Sequence, residues 1–319
     1  MVNSIREIRN NLLLALMRTD RDAVDTIVQD AITRENVRGS ADEYHNLCAE
    51  LARLGEYGLA CSILDKGLKQ HPMDADLLAD FLQYGIKSER LEDCKIHFTT
   101  LNGLDRVMWT WRSFDFSIDY LLYLYGIAMG ESASDVRIAL QTQLYEIVQE
   151  FQKCLPYDET AWLASYNVYT AFGEQEKAVE ALLDGITGDR VAPKCCIKYA
   201  DIQLERGKYE ETVKYAQRGI RASAQDQESV SVGYLYYISA LAKEALLRTD
   251  NGLKQENLTE DVASVFRDYK VAYSILEPDK KTYRTIIKRR VTMLEIESGQ
   301  SSVIDFKTQI TVDNDSDES

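Results

Sequence analysis

Two pairs of residues have the spacing of zinc ligands. His45 and Cys48 are three residues apart, as are Cys94 and His97, so each pair would lie on one face of a helix. Together they would supply the four nitrogen and sulfur ligands of a tetrahedral zinc site. A free cysteine in a protein interior, however, packs as a small hydrophobic side chain. We interpret both cysteines as core residues and keep metal binding as the alternative.

Two carboxylates could perform acid–base chemistry. Asp115 and Asp119 lie one helical turn apart beside Trp111 and Tyr120, and such a pairing could raise the pKa of one carboxyl group. The sequence contains no glycine-rich nucleotide-binding pattern, no HExxH and no GxSxG. We therefore predict no enzyme activity, no cofactor and no metal. The two aspartates are interpreted as a solvated helix face, with a groove contact or catalysis as alternatives.

The charge of the chain argues against binding to polyanions. Its formal net charge is −15, which repels nucleic acids and anionic lipid surfaces. One basic stretch could form a local exception, or its charges could simply offset the acidic remainder of the chain. The stretch contains Lys280, Lys281, Arg284, Lys288, Arg289 and Arg290. We predict no nucleic-acid partner.

Composition predicts a cytoplasmic location. The 319 residues contain no apolar run long enough to cross a bilayer, so we expect no membrane insertion. The short apolar run at 12–17 is not followed by the small residues of a signal-peptide cleavage site. Six cysteines without a disulfide-scaffold spacing fit a reducing compartment.

The elements that position these residues repeat with a period of 34 residues. Gly173 and Gly207 are separated by 34 residues, as are Gly185 and Gly219. Within each repeat, the first glycine would end one helix with a positive φ. The second glycine, twelve residues later, would allow a second, antiparallel helix to approach closely.

This pattern resembles the tetratricopeptide repeat (TPR) family. Trp162 and Tyr169 lie on the helix before Gly173, and an earlier block repeats the interval between glycines with Gly55 and Gly67. The resemblance implies an all-α fold, a right-handed α–α superhelix of about five helix pairs with terminal capping helices. It implies in addition that the concave face, which the first helices of the pairs would line, takes a segment of a partner protein.

The third helix pair is predicted to be longer than the others. Gly55 and Gly173 are 118 residues apart, which exceeds three periods of 34 by sixteen residues. The predicted helices of this pair span 108–128 and Ser134–Cys154. In the TPR family, small packing residues occupy the places of Cys48 and Cys94, which favours the core interpretation of both.

The sequence predicts four segments along the chain. Capping helices at Ile5–Met17 and 22–32 form the segment 1–40, and the repeat array follows at 41–278. A last capping helix at 282–296 occupies the segment 279–299. The tail, 300–319, loses helical periodicity and ends in acidic residues, so we predict that it is disordered.

Three residues are predicted to bind a partner in the groove. In TPR proteins that grip a terminal carboxylate, asparagine and basic residues project from successive first helices. Asn167, Lys194 and Lys198 stand at matching places, where their N–H groups could bind an acidic segment or a free C-terminus. The match is partial, because Leu163 stands where that pattern has a lysine.

The resemblance implies a non-enzymatic adaptor or scaffold that binds a partner protein or peptide. One alternative is a regulatory sensor that changes its superhelical pitch when it binds a short peptide. The other is an enzyme or a nucleic-acid-binding protein that uses the third helix pair or the basic last helix.

Overall fold

The chain folds into α-helices joined by short turns. The computed structural model describes residues 4–18, 20–34, 36–130, 134–187, 191–223, 230–250, 259–276 and 281–302. Across these residues the only bridge of β type is an isolated one between Ser4 and Arg38. The predicted all-α, TPR-like fold is confirmed. None of the described helices combines the length and apolarity needed to cross a membrane.

Two compact units divide the chain, Met1–Glu174 and Gln175–Ser319. The described helices of the first unit are α1 (Ile5–Met17), α2 (Arg21–Thr33), α3 (Ala41–Arg53), α4 (Tyr57–Gln70), α5 (Ala75–Lys87), α6 (Leu91–Asn102), α7 (Trp111–Gly130), α8 (Ser134–Cys154) and α9 (Glu159–Ala171). Those of the second unit are α10 (Gln175–Thr187), α11 (Pro193–Glu205), α12 (Tyr209–Ala222), α13 (Val230–Asp250), α14 (Thr259–Ile275) and α15 (Lys281–Ser298).

The first unit is a stack of antiparallel helix pairs. Helices α1 and α2, α3 and α4, α5 and α6, and α7 and α8 pack against each other as pairs. The odd-numbered helices, which we call the first helices, also contact one another in the order α1, α3, α5, α7, α9. This second set of contacts joins each pair to the next. It is the packing of a helical repeat, in which each pair buries its apolar face on its neighbour.

A residue with a positive φ follows several of the first helices. Gly55 follows α3 with φ 80°, and Gly173 follows α9 with φ 76°. The N–H of the next residue then donates to a carbonyl five residues back, at 3.0 Å from Glu56 to Leu51 and 2.9 Å from Glu174 to Tyr169. The same hydrogen bonds form because the backbone conformation is the same, which confirms both glycines as turn residues.

The same turn also forms without glycine. Glu89 follows α5 with φ 60°, and the N–H of Arg90 donates to the carbonyl of Gly85 at 2.8 Å. A non-glycine residue in this region is uncommon. The packing of α5 and α6 therefore imposes a conformation that the sequence does not signal.

The second glycine of each repeat lies where two helices touch. A Cβ atom at Gly67 would approach Cγ of Tyr44 to 2.9 Å, and one at Gly219 would approach Cβ of Cys196 to 2.9 Å. Real Cβ atoms essentially never come this close to a neighbour. The two glycines therefore permit the close packing of α3 on α4 and of α11 on α12 that the repeat pattern predicted.

The third pair, α7 and α8, is longer than its neighbours, as predicted. Helix α8 has the predicted bounds, whereas α7 begins three residues later than expected, at Trp111. The reason is a short 3-10 turn at Arg106–Met108, in which the carboxylate of Asp105 accepts from the N–H of Val107 at 3.1 Å. Seven aromatic residues at 109–125 form an aromatic cluster, of which Trp109, Phe114, Phe116 and Tyr120 are buried. The ring of Phe114 stacks on that of Phe151 at 4.7 Å.

The second unit is built in the same way. Helix α11 packs on α12 and α13, α13 packs on α14, and α14 packs on α15. Tyr269, Ile287 and Val291 are fully buried in its core. The last helix, predicted over 282–296, spans Lys281–Ser298.

The four-segment division, 1–40, 41–278, 279–299 and 300–319, stays a prediction. The polar stretch at 249–260, for which the sequence predicts a loop, falls mostly outside the described residues, which resume at 259. The predicted disordered tail also falls outside them, except for residues 300–302.

The turn glycines give a stability prediction. Alanine at Gly173 should destabilise the chain by about 1 kcal/mol, because a Cβ atom disfavours positive φ although the space around it is open. Alanine at Gly126, which also has open space but lies inside α7, should stabilise it by about 0.5–1 kcal/mol through helix propensity. Urea unfolding followed by circular dichroism measures both, and shifts of the same sign would contradict the assignment of the turn.

Candidate functional site

The three predicted groove residues are exposed side chains of first helices. Asn167 lies on α9 in the first unit, and Lys194 and Lys198 lie one turn apart on α11 in the second unit. The structure therefore brings the two lysines together on one helix. The joint site of all three residues stays a prediction.

A carboxylate on α11 accompanies Lys198. Burial raises the pKa of Asp201, and the positive charge of Lys198 partly opposes this shift. The hydroxyl of Tyr234 on α13 lies 3.4 Å from one oxygen of the carboxylate and 3.5 Å from the other. This part of the surface therefore carries both charges. The repeat pattern could have indicated Asp201, because it follows Asn167 by 34 residues and so occupies the equivalent position in the next repeat.

A groove between α5 and α7 is the second candidate site. We call it the α5/α7 groove, and it has a volume of about 420 Å³. Its lining residues are Gln83, Ile86 and Lys87 from α5, and Asp119, Leu122 and Tyr123 from α7. All six belong to first helices of the first unit.

The α5/α7 groove combines an apolar floor with two opposite charges. Ile86 and Leu122 are half-buried, and the side chain of Tyr123 is 38% exposed. The ammonium group of Lys87 lies 4.8 Å from the centre of the Tyr57 ring, which holds it by a cation–π contact. Such a surface can bind a short amphipathic segment, because it offers both apolar contact and two charged groups.

Asp119 is the carboxylate of this groove. Neighbouring side chains exclude part of its hydration, which raises the pKa of its carboxyl group, and Lys87 partly opposes the shift. The sequence predicted a solvated helix face for Asp115 and Asp119. The structure places Asp119 at the edge of the groove, in agreement with the groove-contact alternative, while Asp115 is half-buried on α7.

The potential zinc ligands have other contacts. Nδ1 of His45 bonds the buried carboxylate of Asp80, and the ring of His97 lies 4.2 Å from that of Phe81. Cys48 and Cys94 are fully buried, as the core interpretation expected. Burial raises the pKa of the Cys94 thiol to about 12, which disfavours the thiolate that binds metals. Across the described residues, no group of three or more potential ligands is close enough to hold a metal ion.

The basic stretch of α15 is partly engaged in internal contacts. Arg290 donates to Glu244 at 3.2 Å, and Arg284 donates to the carbonyl of Tyr273 at 3.2 Å and lies over its ring. Arg289 is exposed, and Lys280 lies outside the described residues. These contacts favour the interpretation that part of the stretch balances acidic groups of the same unit.

Glu244 is the buried acceptor that these contacts satisfy. Its carboxylate, 3% exposed, accepts from Tyr269 at 2.6 Å, from Arg248 at 2.9 Å and from Arg290 at 3.2 Å. The residue thus links α13 to both α14 and α15.

The Glu244 contacts give a second stability prediction. Breaking a buried ion pair costs about 3–5 kcal/mol, and we expect about 2–3 kcal/mol for Glu244→Ala because both arginines retain water. Urea unfolding measures the change. The exposed Glu260 on α14 provides the control, and Glu260→Ala should stay within about 0.5 kcal/mol. Equal losses for the two variants would refute this role of Glu244.

The raised pKa of Asp119 gives a prediction on pH. Folding favours the protonated form of Asp119, because its pKa is higher in the folded chain than in the unfolded chain. The contribution of this group to the free energy of unfolding is therefore fully present below the unfolded pKa. It is lost as the pH rises through the folded pKa. Asp119→Asn should therefore increase the melting temperature at pH 7 and leave it nearly unchanged at pH 3. The same substitution at the exposed Asp25 on α2 is the control. A gain at pH 3 that equals the gain at pH 7 would contradict the shift.

No protein-family model matches the chain, and no curated protein is significantly similar to it. The chain is similar to TTC0263, a thermophilic TPR protein of Thermus thermophilus, at 17% identity and a TM-score of 0.45, over 65% of this chain and 98% of that one.

Two further solved structures are similar in the same way. One is Acl4, an assembly chaperone of RpL4, at 15% identity and a TM-score of 0.39, over 76% of this chain and 96% of the other. The other is the TPR2AB domain of yeast Sti1 in its pHSP90 complex, at 14% identity and a TM-score of 0.31, over 93% of this chain and 98% of that one. All three scores are below 0.5, so the assignment of a TPR-like, all-helical fold rests on the helix pairs and turns of this chain.

Proposed function

We propose that this protein is a non-enzymatic adaptor or scaffold that binds a segment of a partner protein along its first helices. The observation that carries the proposal is the α5/α7 groove. Its volume of about 420 Å³ lies within the range of binding sites for small ligands, but Lys87, Asp119 and Tyr123 are exposed. A groove with so open a wall suits a peptide segment better than an enclosed substrate.

The lining of the groove indicates which segment it would bind. Ile86, Leu122 and Tyr123 would cover an apolar side chain of the partner, and burial of such a side chain contributes about 1.5–3 kcal/mol. Lys87 and Asp119 would orient the segment by pairing with an acidic and a basic group. An amphipathic segment of mixed charge therefore fits best.

The predicted residues Asn167, Lys194 and Lys198 extend this proposal to a second contact. Their exposed donors would bind an acidic segment or a free C-terminus of the partner. Asp201 would limit how many negative charges the contact with Lys198 accepts. Binding at two separate places on one partner would multiply the affinities through a high effective concentration.

The burial of the aromatic cluster supports an adaptor over an enzyme. Trp109, Phe114 and Tyr120 of the elongated pair pack in the core. They are thus explained by the length of α7 and α8, without an active site. Absence of a cofactor and a cytoplasmic location belong to the same proposal and stay predictions.

Affinity purification from the source cells tests the proposal with three variants of the tagged chain. The groove variant is Lys87→Ala with Tyr123→Ala, and its control is Lys95→Ala with Ile96→Ala, which removes an exposed lysine and an exposed apolar side chain from α6. The third variant combines Asn167→Ala, Lys194→Ala and Lys198→Ala.

We expect the groove variant to lose a partner that the unmodified chain and the α6 control retain. Loss in the third variant would show that its three residues contribute to binding the same partner. Retention in every variant would refute the first-helix site, and the absence of any partner would refute the adaptor function itself. Circular dichroism of each variant separates loss of binding from loss of folding.

A further inference from the structure

The outer face of the last helix carries exposed apolar side chains. Helix α15 buries Ile287, Val291 and Leu294 in the core of the second unit. On another face, Ile286 is 36% exposed, Met293 49% and Ile296 73%. In a helical repeat, such a face on the last helix is the one that a further pair would cover.

The exposed residues form a continuous stripe with a positive charge. Ile286, Arg289, Met293 and Ile296 follow one another at intervals of three, four and three residues, which places them on one side of the helix. Arg289 is exposed at the middle of the stripe. We call these four residues the α15 stripe. An apolar surface with a central cation suits a segment that is apolar and acidic.

The chain reverses direction directly after α15. Gly299 ends the helix with φ 69°, and its N–H donates to the carbonyl of Glu295 at 2.9 Å. Ser302 then lies beside Glu295, since its N–H and its hydroxyl donate to the carboxylate at 2.8 Å and 2.6 Å. The last described residue is therefore already one turn back along the helix, and the chain continues from there.

The remaining sequence matches the stripe in character and length. Residues 303–312 contain five apolar side chains, namely Val303, Ile304, Phe306, Ile310 and Val312. Residues 313–318 contain four acidic groups. An extended segment of ten residues reaches about 33 Å, whereas Ile286 and Ile296 are about 15 Å apart along the helix. The segment is thus long enough to cover the whole stripe.

We propose that residues 303–312 of the same chain dock on the α15 stripe and cap the open end of the second unit. The apolar side chains of the segment cover Met293 and Ile296, and Asp305 within the segment lies in reach of Arg289. The segment is the occupant best placed to do so, because Ser302 ties its start to α15. Glu295 lies about 140° around the helix from the middle of the stripe, and an extended segment of ten residues is long enough to cross that distance. This proposal is independent of the proposed partner binding, and it restricts the predicted disorder of the tail to its acidic end.

Trypsin cleavage after Lys307 tests the docking in the full-length chain. Lys307 is the only lysine or arginine after Arg290, so loss of residues 308–319 is read directly from the intact mass. A docked segment is cleaved only when it opens. The test variant is Met293→Gln with Ile296→Gln, which removes apolar contact without a change in charge.

We expect the test variant to be cleaved after Lys307 about tenfold faster than the unmodified chain, because the protease then meets the segment in its open form. The matched control is Ile96→Gln with Ile138→Gln on α6 and α8, whose side chains are 62% and 63% exposed, and its rate should not change. Arg289→Gln should give a smaller increase. Melting temperatures should be similar in all variants, since none of the substituted side chains packs in the core of its unit.

Two results would overturn the proposal. Equal rates of cleavage in the test variant and the unmodified chain would mean that the segment does not use the stripe. Protection that increases with protein concentration, together with a doubled molar mass in light scattering, would mean that a second copy covers the stripe instead. Protection that is independent of concentration and lost in the test variant supports docking within one chain.

Discussion

The positive φ that follows α3, α5, α9 and α11 is the constraint on which the rest of the structure depends. A residue in the left-handed conformation lets a helix end and the chain turn within a few residues, and here Gly55, Glu89, Gly173 and Gly207 adopt this conformation. Within each unit, the helix after such a turn packs back on the helix before it, as α4 does on α3, α6 on α5 and α12 on α11. The pairs can then stack side by side, and residues about one repeat apart become neighbours in space.

Hydrogen bonds between adjacent pairs follow from this stacking. In the first unit, Thr110 donates to the carboxylate of Asp76, 34 residues earlier in the chain. In the second unit, the hydroxyl of Tyr234 faces Asp201, 33 residues earlier. Apolar packing alone would tolerate a shift of one helix along another. These polar contacts do not tolerate such a shift, because each buried or half-buried group would lose its hydrogen-bond partner while it remained shielded from water.

The sequence was sufficient for those parts of the fold that depend on residue type. Glycine is required at Gly67 and Gly219 because no Cβ atom fits there, and the interval of twelve residues from the turn identified both. Glu89 could not be identified, because a side chain in the left-handed region is held there by packing and leaves no mark in the sequence. The late start of α7 was missed for a similar reason, since the 3-10 turn before it depends on the carboxylate of Asp105.

The candidate site could be predicted only in outline. The resemblance to TPR proteins indicated the first helices as the binding surface, and Asp119 was singled out for its chemistry. Gln83, Ile86 and Lys87 were missed because they form no motif, and only the packing of α5 on α7 gathers them with Asp119 into one groove.

The charge of the whole chain restricts which kind of segment the proposed partner could offer. At physiological ionic strength, the field of a net charge of −15 is screened within about 8 Å, so it affects the approach of a partner more than its final contacts. A strongly acidic partner would be repelled during approach, and Lys87, Lys194 and Lys198 could attract it only at close range. A strongly basic partner would be steered to the whole surface and would gain little at these lysines. A segment of mixed charge with an apolar anchor avoids both difficulties, because its net charge is small and each lysine can still find its own carboxylate.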